Sequence, residues 1–404
     1  MNFKNAILFR NKSLMLLTIS RLASTFAFQM LAVTVGWQMF SITNSNFYLG
    51  LVGLVQFIPM LLFTFPAGHV ADKYNRKVVI ALSQTVEAAS VLVLAFFSLF
   101  GLANRESLLI LCFCFGAANS FQGPSMQSLL PNIVERETFS KAVALTSSVS
   151  QVGVIVGPGL GGVLYALGPD VAYFIIAGLL LVSALSATFI VLRPADATDK
   201  PRSEGWRGVV AGLAYIRSKP AIFGAISLDL FAVLLGGATA LLPAYATILH
   251  AGPVGLGILR SAPAVGALLV TVFLTRWPIK VKAGRKMFAA VILFGISTIV
   301  FAISKSMALS IAAMVVLGAS DVVSVVIRGT FVQIETPDAL RGRVSSVNQL
   351  FIGASNQLGE FESGVAASLL GGAVPAALLG GIGTIVVALV WMGFFPSLRR
   401  VDQI

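Results

Sequence analysis

The chain has 404 residues, 57% of them hydrophobic and only 11% charged, with a mean hydropathy of +0.92. A soluble core could not absorb that much apolar surface, so the solvent for most of this chain is lipid. The formal net charge of +12 would suit a nucleic-acid binder, but the basic residues are sorted to one side of the spans set out below, and that placement argues against RNA or DNA as a partner.

A membrane-spanning helix needs about 20 apolar residues. Polar punctuation divides the sequence into twelve such segments, at 14–40, 47–71, 77–101, 107–131, 139–167, 170–193, 221–249, 255–276, 286–304, 306–331, 341–371 and 373–396. The two shortest junctions fall near Ser304-Lys305 and Gly371-Gly372. Met1 to Lys12 is polar and the apolar run after it is too long for a signal core, so the first span is expected to be its own insertion signal. Lys4, Arg10, Lys12, Lys73, Arg76, Lys77, Arg136, Lys141, the run from Arg193 to Lys219, the run from Arg276 to Lys286, Arg341, Arg343, Arg399 and Arg400 all fall on one side of this arrangement. In the loops of the other side stand only Arg105 and Lys305. By the positive-inside rule both termini and the central loop are expected in the cytoplasm. The longest polar interval, 194–220, divides the chain into six spans (1–193) and six spans (221–404), as in transporters built from two halves.

Between spans two and three lies the charged decapeptide Gly68-His69-Val70-Ala71-Asp72-Lys73-Tyr74-Asn75-Arg76-Lys77. Span four carries Cys112 and Cys114, two apart and on opposite helix faces, which read as packing residues rather than a disulfide or metal site. Span five carries Gly153, Gly157 and Gly161 at every fourth position, followed by Gly162, a spacing that lets another helix approach to backbone contact, with Pro158 permitting a bend.

These two motifs carry a resemblance. The decapeptide is similar to the loop 2–3 signature of the major facilitator superfamily, with Gly68, Asp72, Arg76 and Lys77 at its main positions, Lys73 where Arg is usual and Asn75 where Gly is usual. The resemblance implies a gating latch: Gly68 would allow close helix approach, and Asp72 would accept from a neighbouring helix N-terminus or an Arg. Gly153 to Gly162, with Pro158, resembles the glycine-proline motif of the antiporter branch. Phe121-Gln122-Gly123-Pro124, Leu228-Asp229-Leu230, Ser261 to Ala267 and Leu340-Arg341-Gly342-Arg343-Val344 are similar to the enterobactin-exporter-like subgroup. What the resemblance implies is an all-α membrane protein of twelve helices in two six-helix bundles, placed in the bacterial cytoplasmic membrane. It would act as a monomer that exports a siderophore-like or drug-like amphipathic molecule against inward proton flow. One departure stands out. Many proton-coupled members carry an Arg in span four, three residues before Gln-Gly, where this chain has Asn119 ahead of Gln122-Gly123; if protons drive transport, another intramembrane ionisable group must bind them.

Ionisable side chains at membrane depth cost roughly 2.5 to 3.5 kcal/mol each and are functional candidates by default. Span seven carries Asp229, beside the central cavity in the family fold. Span ten carries Asp321, Ser324 and Arg328 on one face, with Asp321 and Arg328 about 10.5 Å apart along the axis, so that each needs a partner elsewhere. Span eleven is the most polar: Asn348, Ser355 and Glu362 form one stripe, and Gln349, Asn356, Glu360 and Ser363 another. Glu360 and Glu362 point about 200° apart, so only one is expected to carry a proton. Glu87 reads as an interhelical hydrogen-bond partner, and Arg21 as a snorkelling or gate residue. Gln29, Trp37, Phe57 and Tyr245 are candidates to line a substrate pocket.

An enzyme is not expected: the only histidines are His69 in the decapeptide and His250 near an outer loop, and there is no Walker loop. No cofactor or metal is expected, the proton gradient serving as energy source. A lipid or lysophospholipid flippase of the same fold and a non-transporting membrane sensor are the alternatives, and both keep contact with membrane lipid.

Overall fold

The computed structural model describes residues 11–192 and 205–402, except for the side chains of Phe65, Asp72, Arg136, Trp206, Arg207 and Ala339. Lys4, Arg10 and the basic residues from Arg193 to Arg202 therefore lie outside the described residues, as does the side chain of Asp72. Every regular element among the described residues is helical. They are α1 (Lys12–Thr43), α2 (Asn46–Lys73), α3 (Arg76–Leu99), α4 (Arg105–Leu129), α5 (Arg136–Leu167), α6 (Pro169–Thr188), α7 (Gly205–Ser218), α8 (Pro220–Gly236), α9 (Leu242–Ile248), α10 (Gly252–Arg276), α11 (Ala283–Ile303), α12 (Met307–Glu335), α13 (Asp338–Leu369), α14 (Ala373–Phe394) and the short α15 (Pro396–Arg399).

Eleven segments among the described residues are long and apolar enough to cross a membrane. The twelfth predicted span is α13, 32 residues long and too polar to register by hydropathy. Both short junctions are real breaks, with α11 and α12 separated at Ser304–Ser306 and α13 and α14 at Leu370–Gly372. Span seven is not the continuous helix that its hydropathy suggests: α8 stops at Gly236, a single 3-10 turn (Ala238–Leu241) follows, and α9 completes the crossing. The interval read as a central loop contains α7, where the Tyr215 hydroxyl donates to the Glu335 carbonyl at 2.7 Å.

By contacts the chain divides into two compact units, Met1–Ile42 with Val55–Gly205 and Thr43–Leu54 with Trp206–Ile404. In the first, α3 packs on α4 and α6, and Leu14, Leu17, Ile80, Leu129 and Ile190 meet in a fully buried core. In the second, α11 packs on α12 and α14 around Ile226, Met287, Phe288, Ile327 and Ala388. Leu82, Phe96, Leu185 and Phe189 point outward, as lipid-facing side chains must.

In its described part the decapeptide closes helix ends. Asn75 caps α3 by accepting from the Lys77 amide at 3.3 Å, which is why an amide side chain suits that position. Arg76 donates to the Ser128 carbonyl (2.9 Å) in the last turn of α4, and Lys77 to the Ile190 carbonyl (3.1 Å) just past α6. Both cations thus satisfy carbonyls at helix C-termini, where the helix dipole favours positive charge. Lys73 is exposed, its ammonium 5.8 Å from the Tyr74 ring centroid. The close approach expected at Gly68 is not found: a β-carbon there would meet nothing within 4 Å.

The glycine stripe of α5, by contrast, does seat a neighbour. β-Carbons at Gly153, Gly157 and Gly161 would lie 2.9 Å from Thr25 Cγ2, 2.8 Å from Gln29 Cβ and 2.9 Å from Met30 Cα. Helix α1 is therefore held against α5 at a distance only glycine permits, and Gly162 is buried beside the stripe. The minimal pair of substitutions is Gly161→Ala and Gly68→Ala. Gly161→Ala should lower the thermal unfolding midpoint in detergent, a loss of about 1–3 kcal/mol from overpacking against backbone, while Gly68→Ala leaves it unchanged. Equal midpoints for the two would remove the packing role.

Candidate functional site

The stripe that seats α1 also shapes a cavity. In the first unit Ser24, Thr25, Phe28 and Gln29 of α1, Glu87 of α3, Phe115, Asn119 and Gln122 of α4 and Val154 of α5 line a space of about 370 Å³. Phe28 and Phe115 form its apolar side, their ring centroids 6.1 Å apart and tilted by 32°. Its polar side is built from amides and one carboxylate. With its amide nitrogen facing the acid, Gln122 donates to both Glu87 oxygens, at 3.0 and 3.1 Å. Glu87 is buried and Asn119 is exposed to the cavity, so a guest would meet Asn119 and Gln29 before the carboxylate. A space of this size and mixed chemistry fits a small amphipathic ligand.

The second unit holds the other charge cluster. Arg328 of α12 forms an ion pair with Asp229 of α8, both buried. Asp321, two turns before Arg328 on the same face, lines a void of about 10 Å³ together with Asp229, Ser320, Ser324 and Phe294, the lower limit for a single water. Three ionisable groups therefore share one interior region, one cation with two carboxyls, and the cation is committed to Asp229. Arg328 thus finds the partner that its own helix cannot supply in Asp229. The pairing also changes the standing of Asp229, which is tied by charge to a neighbouring helix. Asp321 has no such partner among the described residues and is half-buried.

On α13 the two glutamates separate as their spacing requires. Glu360 packs on α2, where a β-carbon at Gly53 would lie 2.9 Å from its Oε2, and it is within electrostatic reach of Arg260. Glu362 is half-buried, with the Ser363 hydroxyl 3.5 Å away. Asn356 is exposed and Ser355 is buried. Tyr245 is not a pocket residue: it is fully buried, its ring centroid 4.4 Å from that of Phe301 and its hydroxyl donating to the Ala302 carbonyl at 3.3 Å. Phe57 is likewise buried and Trp37 half-buried; neither lines the cavity. Cys112 and Cys114 are free thiols. Among the described residues no cluster of three or more acids, histidines and cysteines could hold a metal.

Glu87 bonds to a neighbouring helix, as its sequence reading expects, and the bond lies in the wall of the 370 Å³ cavity. Arg260 passed unremarked in an apolar span, although a lone cation at membrane depth is itself a signal.

Comparison with known proteins places this geometry in a family. A family model described as Major Facilitator Superfamily matches residues 17–360. The chain belongs to the major facilitator superfamily. Among curated relatives it is similar to the enterobactin exporter EntS of Citrobacter koseri, 26% identical over 397 residues, covering 95% of this chain and 92% of that one. It is 25% identical over 397 residues to the EntS of Salmonella choleraesuis, with the same coverage. Solved structures share the fold: a variant of the nucleoside transporter NupG (TM-score 0.76, 17% identity, 95% of this chain and 100% of that one) and a bacterial homologue of the iron transporter ferroportin in an inward-facing state (0.72, 18%, 96% and 99%). The chain is thus a multi-pass membrane transporter of all-α major facilitator fold.

The Asp229–Arg328 pair makes a sharp stability prediction. Asp229→Asn strands a buried guanidinium and should cost about 3–5 kcal/mol, whereas the joint change Asp229→Leu with Arg328→Leu should recover most of it. Thermal unfolding of the purified variants reads this directly; a single variant as stable as the parent would dissolve the pair.

Proposed function

We propose that this protein is a secondary active exporter that moves an amphipathic small molecule out of the bacterial cytoplasm by alternating access, driven by inward proton flow. It is placed in the cytoplasmic membrane with both termini cytoplasmic, works as a monomer and needs no cofactor or metal. The single observation that carries the cargo part is the 370 Å³ cavity, with two phenyl rings on one side and Gln29, Asn119, Gln122 and Glu87 on the other. Such a wall can hold an aromatic, hydrogen-bonding guest without demanding one shape. The curated exporters of enterobactin support outward transport of a siderophore-like compound, and the antiporter-type stripe Gly153, Gly157, Pro158, Gly161 and Gly162 is consistent with exchange.

For the proton, the chemistry favours Asp321. A carrier must gain and lose its proton in turn, and a carboxylate locked to a guanidinium, as Asp229 is, gives up its ion pair each time it is protonated. Asp321 shares the same interior without such a lock, so its protonation alters the charge beside Arg328 and can bias one conformation over another. Glu87 serves the cargo in the first unit, in place of the arginine that Asn119 replaces. Glu360 and Glu362 are second candidates for proton binding, with Glu360 held near Arg260. Asp72, Lys73, Arg76 and Lys77 are proposed to set the balance between states at the cytoplasmic face.

Transport by purified protein in inverted vesicles tests this reading. With catecholate siderophores, macrolides and lysophospholipids offered in turn, one class should accumulate only under an imposed proton gradient. Asp321→Asn should remove the gradient dependence while exchange of cargo across the membrane continues, and Glu87→Gln should raise the cargo concentration needed for half-maximal rate by about tenfold, the loss of one charged hydrogen bond. Gradient-independent movement by the parent protein would overturn proton coupling.

A further inference from the structure

The C-terminal end of the second unit carries a cavity apart from the ones described above. Helix α11 begins at Ala283, and the chain's last described residues cross over its start: the Ala283 amide donates to the Asp402 carbonyl (3.3 Å), the Gly284 amide to the Val401 carbonyl (3.0 Å) and the Lys282 amide to Asp402 Oδ1 (3.1 Å). Glycine is required at 284, since a β-carbon there would lie 2.0 Å from the Leu398 carbonyl oxygen. The strap has a consequence for charge. It draws Arg399 and Arg400 beside Lys282 and Arg285, and these four cations, with Val401 and Asp402, enclose a cavity of about 200 Å³. The helix's first amides are already taken by the strap, so whatever this cavity binds is bound by side chains.

Four like charges around one space repel each other unless an anion sits among them. Asp402 is the single acid in the lining, and its carboxylate is engaged by the Lys282 amide. Among the described residues none of the four cations is ion-paired. Lys282 also holds a left-handed backbone, φ 56°, a conformation disfavoured for a lysine and fixed here by the Asp402 contact. Topology would be satisfied by four basic residues anywhere on this face. It requires neither their convergence, nor the strained lysine, nor the glycine under the strap. The loop that delivers Lys282 starts at Trp277, which is 61% exposed with its indole 4.7 Å from the Phe273 ring, an aromatic of the kind that marks the headgroup level of a bilayer.

We infer that Lys282, Arg285, Arg399 and Arg400 form a binding site for a phosphate-ester anion, with the headgroup of an anionic phospholipid as the occupant that the neighbouring Trp277 favours. Guanidinium forks suit phosphate oxygens in two-point contact, and basic pockets at the membrane surface bind anionic headgroups in this way. The bound lipid would tie the C-terminal segment to the start of α11.

Native mass spectrometry of the purified full chain tests the site, with dioleoyl phosphatidylglycerol, dioleoyl phosphatidylcholine and inorganic phosphate offered separately. The parent protein should retain phosphatidylglycerol and not phosphatidylcholine. The double change Arg399→Gln with Arg400→Gln should weaken that retention by about fivefold for each charge removed. Lys286→Gln, which removes a cation from the first turn of α11 but not from the cavity, should leave it unchanged. Retention of inorganic phosphate with displacement of the lipid would support the phosphate site and assign it to a free anion. Equal retention of both lipids, or equal weakening by Lys286→Gln, would overturn the site as a mere effect of surface charge. The thermal midpoint of the parent protein with and without phosphatidylglycerol gives an answer that needs no variant: no rise would contradict the inference.

Discussion

The buried ion pair between Arg328 and Asp229 is the constraint around which the second unit is arranged. A guanidinium at that depth is tolerable only with a counter-charge in contact, so α8 and α12 must meet there. Their meeting leaves Asp321 in the same small void with no cation of its own. One cation beside two carboxyls, paired to only one of them, leaves the other carboxyl uncompensated in the protein interior. Breaking α8 at Gly236, just beyond this cluster, gives the span backbone groups that a continuous helix would have consumed.

The first unit is organised by packing. Glycines on α5 let α1 come within backbone contact, which sets Thr25 and Gln29 on the cavity wall opposite α4. Arg76 and Lys77 then fasten the far ends of α4 and α6 through their carbonyls. Arg76 and Lys77 of the decapeptide and the glycines of α5 both fix helix positions in this unit. The cavity's sole carboxylate, Glu87, is held by Gln122 rather than by a cation, so the two units treat their buried acids differently.

Much of the fold was legible because hydrophobic length is a local property. The spans, their two tight junctions and the all-helical class follow from where polar residues interrupt apolar runs, and even the polar α13 could be placed by its flanks. The break in span seven was not seen, although Gly236-Gly237 with Pro243 downstream was a readable sign. Partners were harder. Helix spacing shows that Asp321 and Arg328 cannot touch along their own helix, but nothing local to Arg328 names Asp229, which lies three spans earlier in the same half of the chain. Glu87 is the interhelical partner its position suggests, but its neighbour Gln122 and the cavity beside them are created by four helices meeting. Tyr245 is an aromatic with pocket-like chemistry that the fold spends on packing.

The central claim is that one interior carboxyl, Asp321, exchanges a proton while its neighbour Asp229 stays locked to Arg328. Infrared difference spectroscopy of the protein in lipid, recorded as the pH is stepped, observes carboxyl protonation without any need to know the cargo. A carboxyl signal that disappears in Asp321→Asn is the predicted result. Persistence of the full signal in that variant, or its loss in the joint change Asp229→Leu with Arg328→Leu while Asp321 is intact, would contradict it.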